Sequence, residues 1–359
     1  MKILIQDARI LTFRVDKPVI ERGYIYLNKG RIEAIGEGPP PPEYEFAEYI
    51  IDGRGRVVMP GFVLGIGSIE GLSLAYVSKC SSNARECLSS LSKDEIKALI
   101  ETTLTLLSFK GATSIVATVL DADNVDVIAK AVSEAWIRTR LLFPEVQSLK
   151  EGVKVASRSV VDQEALPRGI ISFGLIGKSG TEITLDELRS LDAYAYINAC
   201  RSDDVKRLSD RIVCINSSID IGRNIVIDSI EMWRGSEAIG FTDPKMMNPQ
   251  KFLSILSSQG FNPKDVVKIL ANLNPRGFAI GISELVEGNP ADLIILNFRE
   301  PPYGPRIFDV EGLYELICDG LYGVETVLVS GELVVDRFEP LMVGKKTFDI
   351  VLRLREELS

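Results

Sequence analysis

The chain contains no histidine in 359 residues. Imidazole is the commonest metal ligand and the usual general base near neutral pH. Its absence excludes Ser-His-Asp triads, Cys-His dyads and histidine-based zinc centres together. Cysteine is also scarce. The five residues Cys80, Cys87, Cys200, Cys214 and Cys318 never fall at CxxC spacing. Neither a zinc knuckle nor a disulfide framework is therefore expected, and reduced thiols in a cytoplasm are. Cys200 and Cys214 read as thiols that fill a core. Long hydrophobic runs are missing: no segment reaches the ~18 apolar residues of a membrane helix. The opening MKILIQDARILTF is interrupted by Gln6, Asp7 and Arg9, against a signal peptide. Positive charge is in deficit, with 41 Lys and Arg against 50 Asp and Glu, net −9. With no basic stripe carrying interleaved aromatics, neither nucleic acid nor a membrane is an expected partner.

What is present is an ordinary globular balance, 46% hydrophobic and 25% charged. The first 50 or so residues read as short strands, including the strand–turn–strand GYIYLNKGRIEAIGEG. From about Gly61 to Ile282, short apolar runs alternate with segments of helical period. The runs at 62–67, 113–119, 137–143, 169–175, 193–198, 211–216, 224–230 and 237–242 suit parallel strands covered by helices. Ser92 with Glu95 three residues on signals a capped helix, and Asn262-Pro263 signals another, running to Leu273. Eight strands in roughly 220 residues is the size of a (β/α)8 barrel. The connections after the fourth to seventh strands are short, which makes the barrel irregular or reduced. After Ile282 the β texture returns, with a VLVSGELVV hairpin, and 347–358 closes as an amphipathic helix.

Several motifs resemble the amidohydrolase superfamily, in particular its cyclic-amidine deaminase and imidazolone-hydrolase-like members. GYIYLNKGRIEAIGEG is similar to the family's N-terminal hairpin, and IIDGRGRVVMPGFV resembles the lead-in to its first barrel strand. FKGATSIVATV, ANLNPRGFAIG, ELVEGNPADLIILN and VETVLVSGELVV match later stretches in the family's order. The resemblance covers nearly the whole chain. It implies an α/β fold, a (β/α)8 TIM-like barrel over 59–282 inserted in a composite β-sandwich from 1–58 and 283–345. The C-terminal helix, 346–359, follows.

The resemblance also implies a metal-dependent hydrolase of non-peptide C–N bonds, and there the residues depart from the pattern. Aligned on Pro60-Gly61-Phe62-Val63, Ile66 and Ser68 stand at the two His-x-His positions. Asn198 falls at the fifth-strand histidine, Arg201 at the following glutamate, and Asn216 at the sixth-strand histidine. Asp243, in AIGFTDP, occupies the eighth-strand aspartate and is the sole acid retained. Isoleucine has no donor atom, and one carboxylate with neutral oxygens is a poor site for zinc or for hard cations. No metal or cofactor is therefore expected. Asp243 is the catalytic candidate; Ser68, Glu70, Asn198, Arg201, Asn216 and Asp228 are pocket candidates. Each also has a bland reading: a turn residue, a strand end, or a solvated loop acid. Arg201 could pair with Asp243 or Asp204. GLIGKSGTE lacks Walker spacing. The expectation is a family member that has lost its hydrolase activity and is kept as a binding or interaction protein. The small polar ligand would sit at the barrel mouth, in a cytoplasmic chain whose default association is a homodimer. The alternative is a divergent hydrolase of cyclic amides or amidines acting through Asp243 or other carboxylates.

Overall fold

The computed structural model describes residues 1–75, 84–161, 163–216, 225–226, 248–304 and 309–358. The N-terminal strands β1 (Lys2–Leu11), β2 (Val19–Asn28) and β3 (Arg31–Glu37) form an antiparallel meander. Lys29 and Gly30 both take positive φ in the two-residue turn between β2 and β3, the geometry that matches strand twist. Strands β4 (Tyr49–Asp52) and β5 (Arg56–Pro60) lie end to end along β1, both parallel to it.

Gly61 then carries the chain into a second sheet, packed so closely that a Cβ there would overlap Thr113. This sheet holds β6 (Phe62–Ser68), β7 (Ala112–Thr118), β8 (Arg138–Phe143), β9 (Ile171–Lys178), β10 (Ala193–Asn198), β11 (Ile212–Ile215) and β12 (Ile225–Val226). Neighbours in sequence are neighbours in the sheet, and every pairing is parallel. The expected eighth strand at 237–242, and most of the seventh, lie outside the described residues.

Side-chain alternation gives each strand two buried faces. Ile115 and Ala117, Leu141 and Phe143, and Phe173 and Leu175 face the surrounding helices. Val116, Leu142 and Tyr196 face inward. The longest covering helix, Lys93–Ser108, begins with the Ser92/Glu95 capping box read from the sequence. After β9 and β10 the helices span only Leu185–Ser190 and Ser202–Leu208, as the short connections required. The helix expected over 263–273 instead runs Pro263–Lys268, passes through a π turn at Ile269–Leu273 and resumes at Asn274–Phe278. Pro275, which has no N–H for the α ladder, lies just beyond the widened turn.

The chain returns through β13 (Leu293–Asn297), antiparallel to β5, then β14 (Gly323–Val329), β15 (Glu332–Asp336) and β16 (Glu339–Pro340). Both ends of the sequence thus build one nine-stranded sheet. Ile3, Ile5, Val58, Leu293 and Ile295 share the sheet's own core. Val57, Met59, Ile294 and Leu296, one residue out of phase, join the core of the parallel layer. The last helix, Lys345–Leu358, lies over Lys93–Ser108, where Thr347 Oγ1 donates to Glu101 Oε2 at 3.2 Å. No helix among the described residues is long and apolar enough to cross a membrane.

Arg138, first in β8, locks the two layers together. Its Nε and Nη2 donate to the two carboxylate oxygens of Asp292 at 2.7 and 2.8 Å. Nη2 also reaches Ser330 Oγ, and Nη1 the carbonyls of Arg168 and Gly169, so all five N–H donors are used. The cysteines correct an expectation. Cys200 and Cys214 are bonded as a disulfide rather than standing as separate thiols, with Cα atoms 5.5 Å apart. The parallel register that sets Ile197 beside Cys214 brings the end of β10 within bonding reach of β11. Cys87 is also disulfide-bonded. Cys318 is free, and burial pushes its thiol up to about 12.

Candidate functional site

In a barrel of parallel strands the chemistry belongs at the strands' C-terminal ends. Ile66, at the first of the two positions that the resemblance aligns with metal ligands, is 9% exposed and belongs to an inward cluster with Val116, Leu142, Tyr196, Ile215 and Phe278. Burying such a side chain stabilises the fold by about 1.5–3 kcal/mol, which accounts for an apolar residue at this position. A Cβ on Gly65 would already lie 3.1 Å from both Phe278 and Val116, so this part of the strand is closely packed.

Ser68 ends β6 and caps the helix Ile69–Leu74, its Oγ accepting from Gly71 N at 2.9 Å. The hydroxyl also donates to Glu70 Oε2 at 3.3 Å. Glu70 is fully buried. Its carboxylate accepts the backbone N–H of Leu120 at 3.0 Å and of Asp121 at 3.1 Å, clasping the loop that follows β7. Burial pushes its pKa above the ordinary carboxylate range, opposed by those N–H groups and by Ser68. Glu70 is not the solvated loop acid that its position in the sequence allows; it holds two strand ends together.

Asn198 ends β10 exposed to solvent. Arg201 is exposed at the start of the helix Ser202–Leu208, where its backbone N donates to Asp204 Oδ2 at 3.0 Å. The guanidinium paired with Asp204 is that of Arg207, at 3.3 Å; the other partner weighed for Arg201, Asp243, lies outside the described residues. Asp204 also receives the Ser179 hydroxyl at 2.6 Å and Gly180 N at 3.1 Å. Burial pushes its pKa up, but these donors hold it below the usual value. The donors of the GLIGKSGTE loop are thus turned to a carboxylate of the chain itself. Asn216 follows β11 with φ of 50°. Asp228 and Asp243 lie outside the described residues. The structure therefore places Ser68 and Glu70 together just past β6, and Asn198, Arg201 and Asn216 at the neighbouring ends of β10 and β11.

Among the described residues, which exclude Asp228 and Asp243, the donors do not make the zinc centre that the resemblance implies. Among the described residues no group of three or more His, Cys, Asp or Glu could hold a metal ion. Ile66 offers no donor, and the Ser68 hydroxyl is engaged as a helix cap.

One inward group escaped the sequence reading. Arg140, two residues after Arg138 and on the same face of β8, is 5% exposed. Its Nε donates to Ser172 Oγ at 3.1 Å, and its Nη1 to Tyr196 OH at 3.0 Å and Phe278 O at 3.1 Å. Burial pushes the Tyr196 phenol up, with Arg140 opposing, so Tyr196 stays neutral and donates to Phe278 O at 2.6 Å. The signal was available: two arginines at period 2 in an otherwise apolar strand mark one polar inner face. Away from this interior, a cleft of about 520 Å³ opens on the terminal sheet, lined by Tyr49, Asp52, Arg56, Glu325 and Asp336 among others. Its groups are partnered internally, Arg56 with Glu325 at 2.8 Å and Tyr49 with Asp336 at 2.5 Å.

No family model matches the chain. A 5-methylthioadenosine/S-adenosylhomocysteine deaminase of Halalkalibacterium halodurans is 35% identical over 74 residues, 21% of this chain and 17% of that protein's length. Solved structures align over almost the whole molecule. A triazine hydrolase variant superposes with a TM-score of 0.72 at 14% identity, covering 99% of each chain. An atrazine chlorohydrolase from Arthrobacter aurescens, complexed with zinc, gives 0.70 at 13%, over 98% of this chain and 100% of that one. An adenosine deaminase from Xanthomonas campestris, with bound zinc, gives 0.69 at 13%, over 99% and 98%. The chain therefore has the fold of these hydrolases from end to end.

Proposed function

We propose that the chain is an amidohydrolase-superfamily protein that has given up metal-dependent hydrolysis of C–N bonds and serves as a binding or interaction protein. The observation that carries this reading is Ile66, packed among Val116, Leu142 and Phe278 at the position aligned with a metal ligand. The absence of histidine from the whole sequence agrees with it. A binding role would use the strand-end groups Asn198 and Arg201, both exposed, and the partly buried Asn216 for a small polar ligand, in a cytoplasmic homodimer. The Cys200–Cys214 bond stands against a reducing cytoplasm, although disulfides do persist inside hyperthermophiles. Thiol titration of freshly extracted protein and sedimentation analysis test those two parts.

The decisive test is metal analysis of the purified protein beside a hydrolysis panel of amides, cyclic ureas and aminopurines. The expected result is substoichiometric zinc, manganese and iron with no turnover above buffer. One equivalent of metal with measurable hydrolysis overturns the proposal. The second reading, a hydrolase working through Asp243 or another carboxylate, draws support from Glu70, whose raised pKa is the property a general acid requires. Turnover in this panel that survives metal chelation and is lost in Asp243→Ala or Glu70→Gln would favour it.

A further inference from the structure

Two arginines share the inner face of β8, and their surroundings differ. Every donor of Arg138 is occupied, with Asp292 supplying the opposite charge. Arg140 has only neutral acceptors: Ser172 Oγ, Tyr196 OH and Phe278 O. Its guanidinium carbon lies 4.2 Å from the centroid of the Tyr194 ring, against whose face it stacks. The two N–H groups of Nη2 have no partner, and no carboxylate reaches Arg140, among the described residues. Guanidinium does not lose its proton in proteins. Arg140 is thus a largely buried positive charge with no anionic partner among the described residues, and an uncompensated buried charge is costly.

We propose that Arg140 anchors an anion site inside the barrel, taking the carboxylate of a small monoanionic organic ligand through Nη2. Among the described residues Arg140 brings one unit of charge without an anionic partner, which a monoanion matches, and a carboxylate oxygen accepts a charge-assisted hydrogen bond from guanidinium. Ser172 and Tyr194 are half-exposed, unlike the buried residues around them, and mark the side from which the site is reached. A second polar group on the inner face is also unsatisfied. Ser114 Oγ, two residues before Val116 on β7, is buried without a hydrogen-bond partner among the described residues. At ~3.3 Å per residue, Arg140 lies about 10 Å below the C-terminal end of β8. The site is thus separate from Ser68, Asn198 and the strand-end residues, and it stands whether or not hydrolysis has been lost.

The test uses the full-length protein with sodium propionate and propionamide as probes, at constant ionic strength, in titration calorimetry and thermal denaturation. Propionate is expected to bind with one-to-one stoichiometry and raise the Tm with concentration. Propionamide, of the same shape without the charge, is expected to bind at least about tenfold more weakly. Arg140→Gln should weaken propionate at least about tenfold, with Arg140→Lys falling between it and the native protein. Equal binding of the two probes, no binding of propionate, or undiminished propionate binding in Arg140→Gln overturns the proposal. If Arg140→Gln does not fold, the comparison of the two probes on the native protein decides alone.

Discussion

Removing the side chain of Arg138 should cost the protein about 3–5 kcal/mol. Asp292 is fully buried, and its carboxylate receives Arg138 through two N–H groups and Ser330 through its backbone N at 2.7 Å. Arg138→Met keeps much of the side-chain volume but leaves that carboxylate with the Ser330 amide as its one remaining donor among these. Stranding one member of a buried ion pair costs about 3–5 kcal/mol, a large part of a typical total of 5–15. Asp292→Leu should cost a similar amount by stranding Arg138. The double variant Arg138→Met/Asp292→Leu removes both charges and should return close to native stability, because a well-packed apolar pair often replaces a buried ion pair without loss. The assay is guanidinium chloride unfolding followed by fluorescence and circular dichroism, with coincident transitions required before free energies are compared. A loss below about 1 kcal/mol in Arg138→Met, or a double variant as unstable as the sum of the singles, would refute the reasoning.

Three further outcomes are expected. Ile66→Ala should destabilise by about 2–5 kcal/mol, as for a filled core position, measured by the same unfolding; an unchanged midpoint would mean an open mouth. Removing the Cys200–Cys214 bond, by reductant or by Cys200→Ser with Cys214→Ser, should cost about 3 kcal/mol for a separation of 14 residues, read as a drop in Tm. Glu70 has a folded pKa raised by burial, so the folded state holds its proton more tightly than the unfolded chain. Its contribution to stability is full below the ordinary carboxylate pKa and is lost as pH rises to the raised folded value. Glu70→Gln should flatten the Tm–pH profile across that window; a parallel profile would show that Glu70 ionises as an ordinary surface acid.

The features legible in the sequence are those made by near neighbours. Ser92 and Glu95 form their capping box from residues three apart, and Lys29-Gly30 makes its turn from two. The parallel strands were visible because strands covered on both sides are apolar throughout. The candidate site was less legible, for lack of long-range information. Glu70 looks like a loop acid until β6 and β7 are placed side by side and its carboxylate meets the amides of Leu120 and Asp121. Arg201 stands three residues before Asp204, but Arg207, one turn further on, takes the ion pair. Cys200 and Cys214 share no spacing motif, and the β10–β11 register alone brings them together.

By itself the sequence determined the order of the first six parallel strands, the absence of imidazole chemistry, and the identity of the residues at those strands' ends. The tertiary structure decided which of those residues meet. Alternation on a strand fixes whether a side chain points in or out, but not what stands opposite. Arg138 and Arg140 therefore read alike in IRTRLLF, yet Asp292, just before β13 and more than 150 residues later, completes the first and not the second.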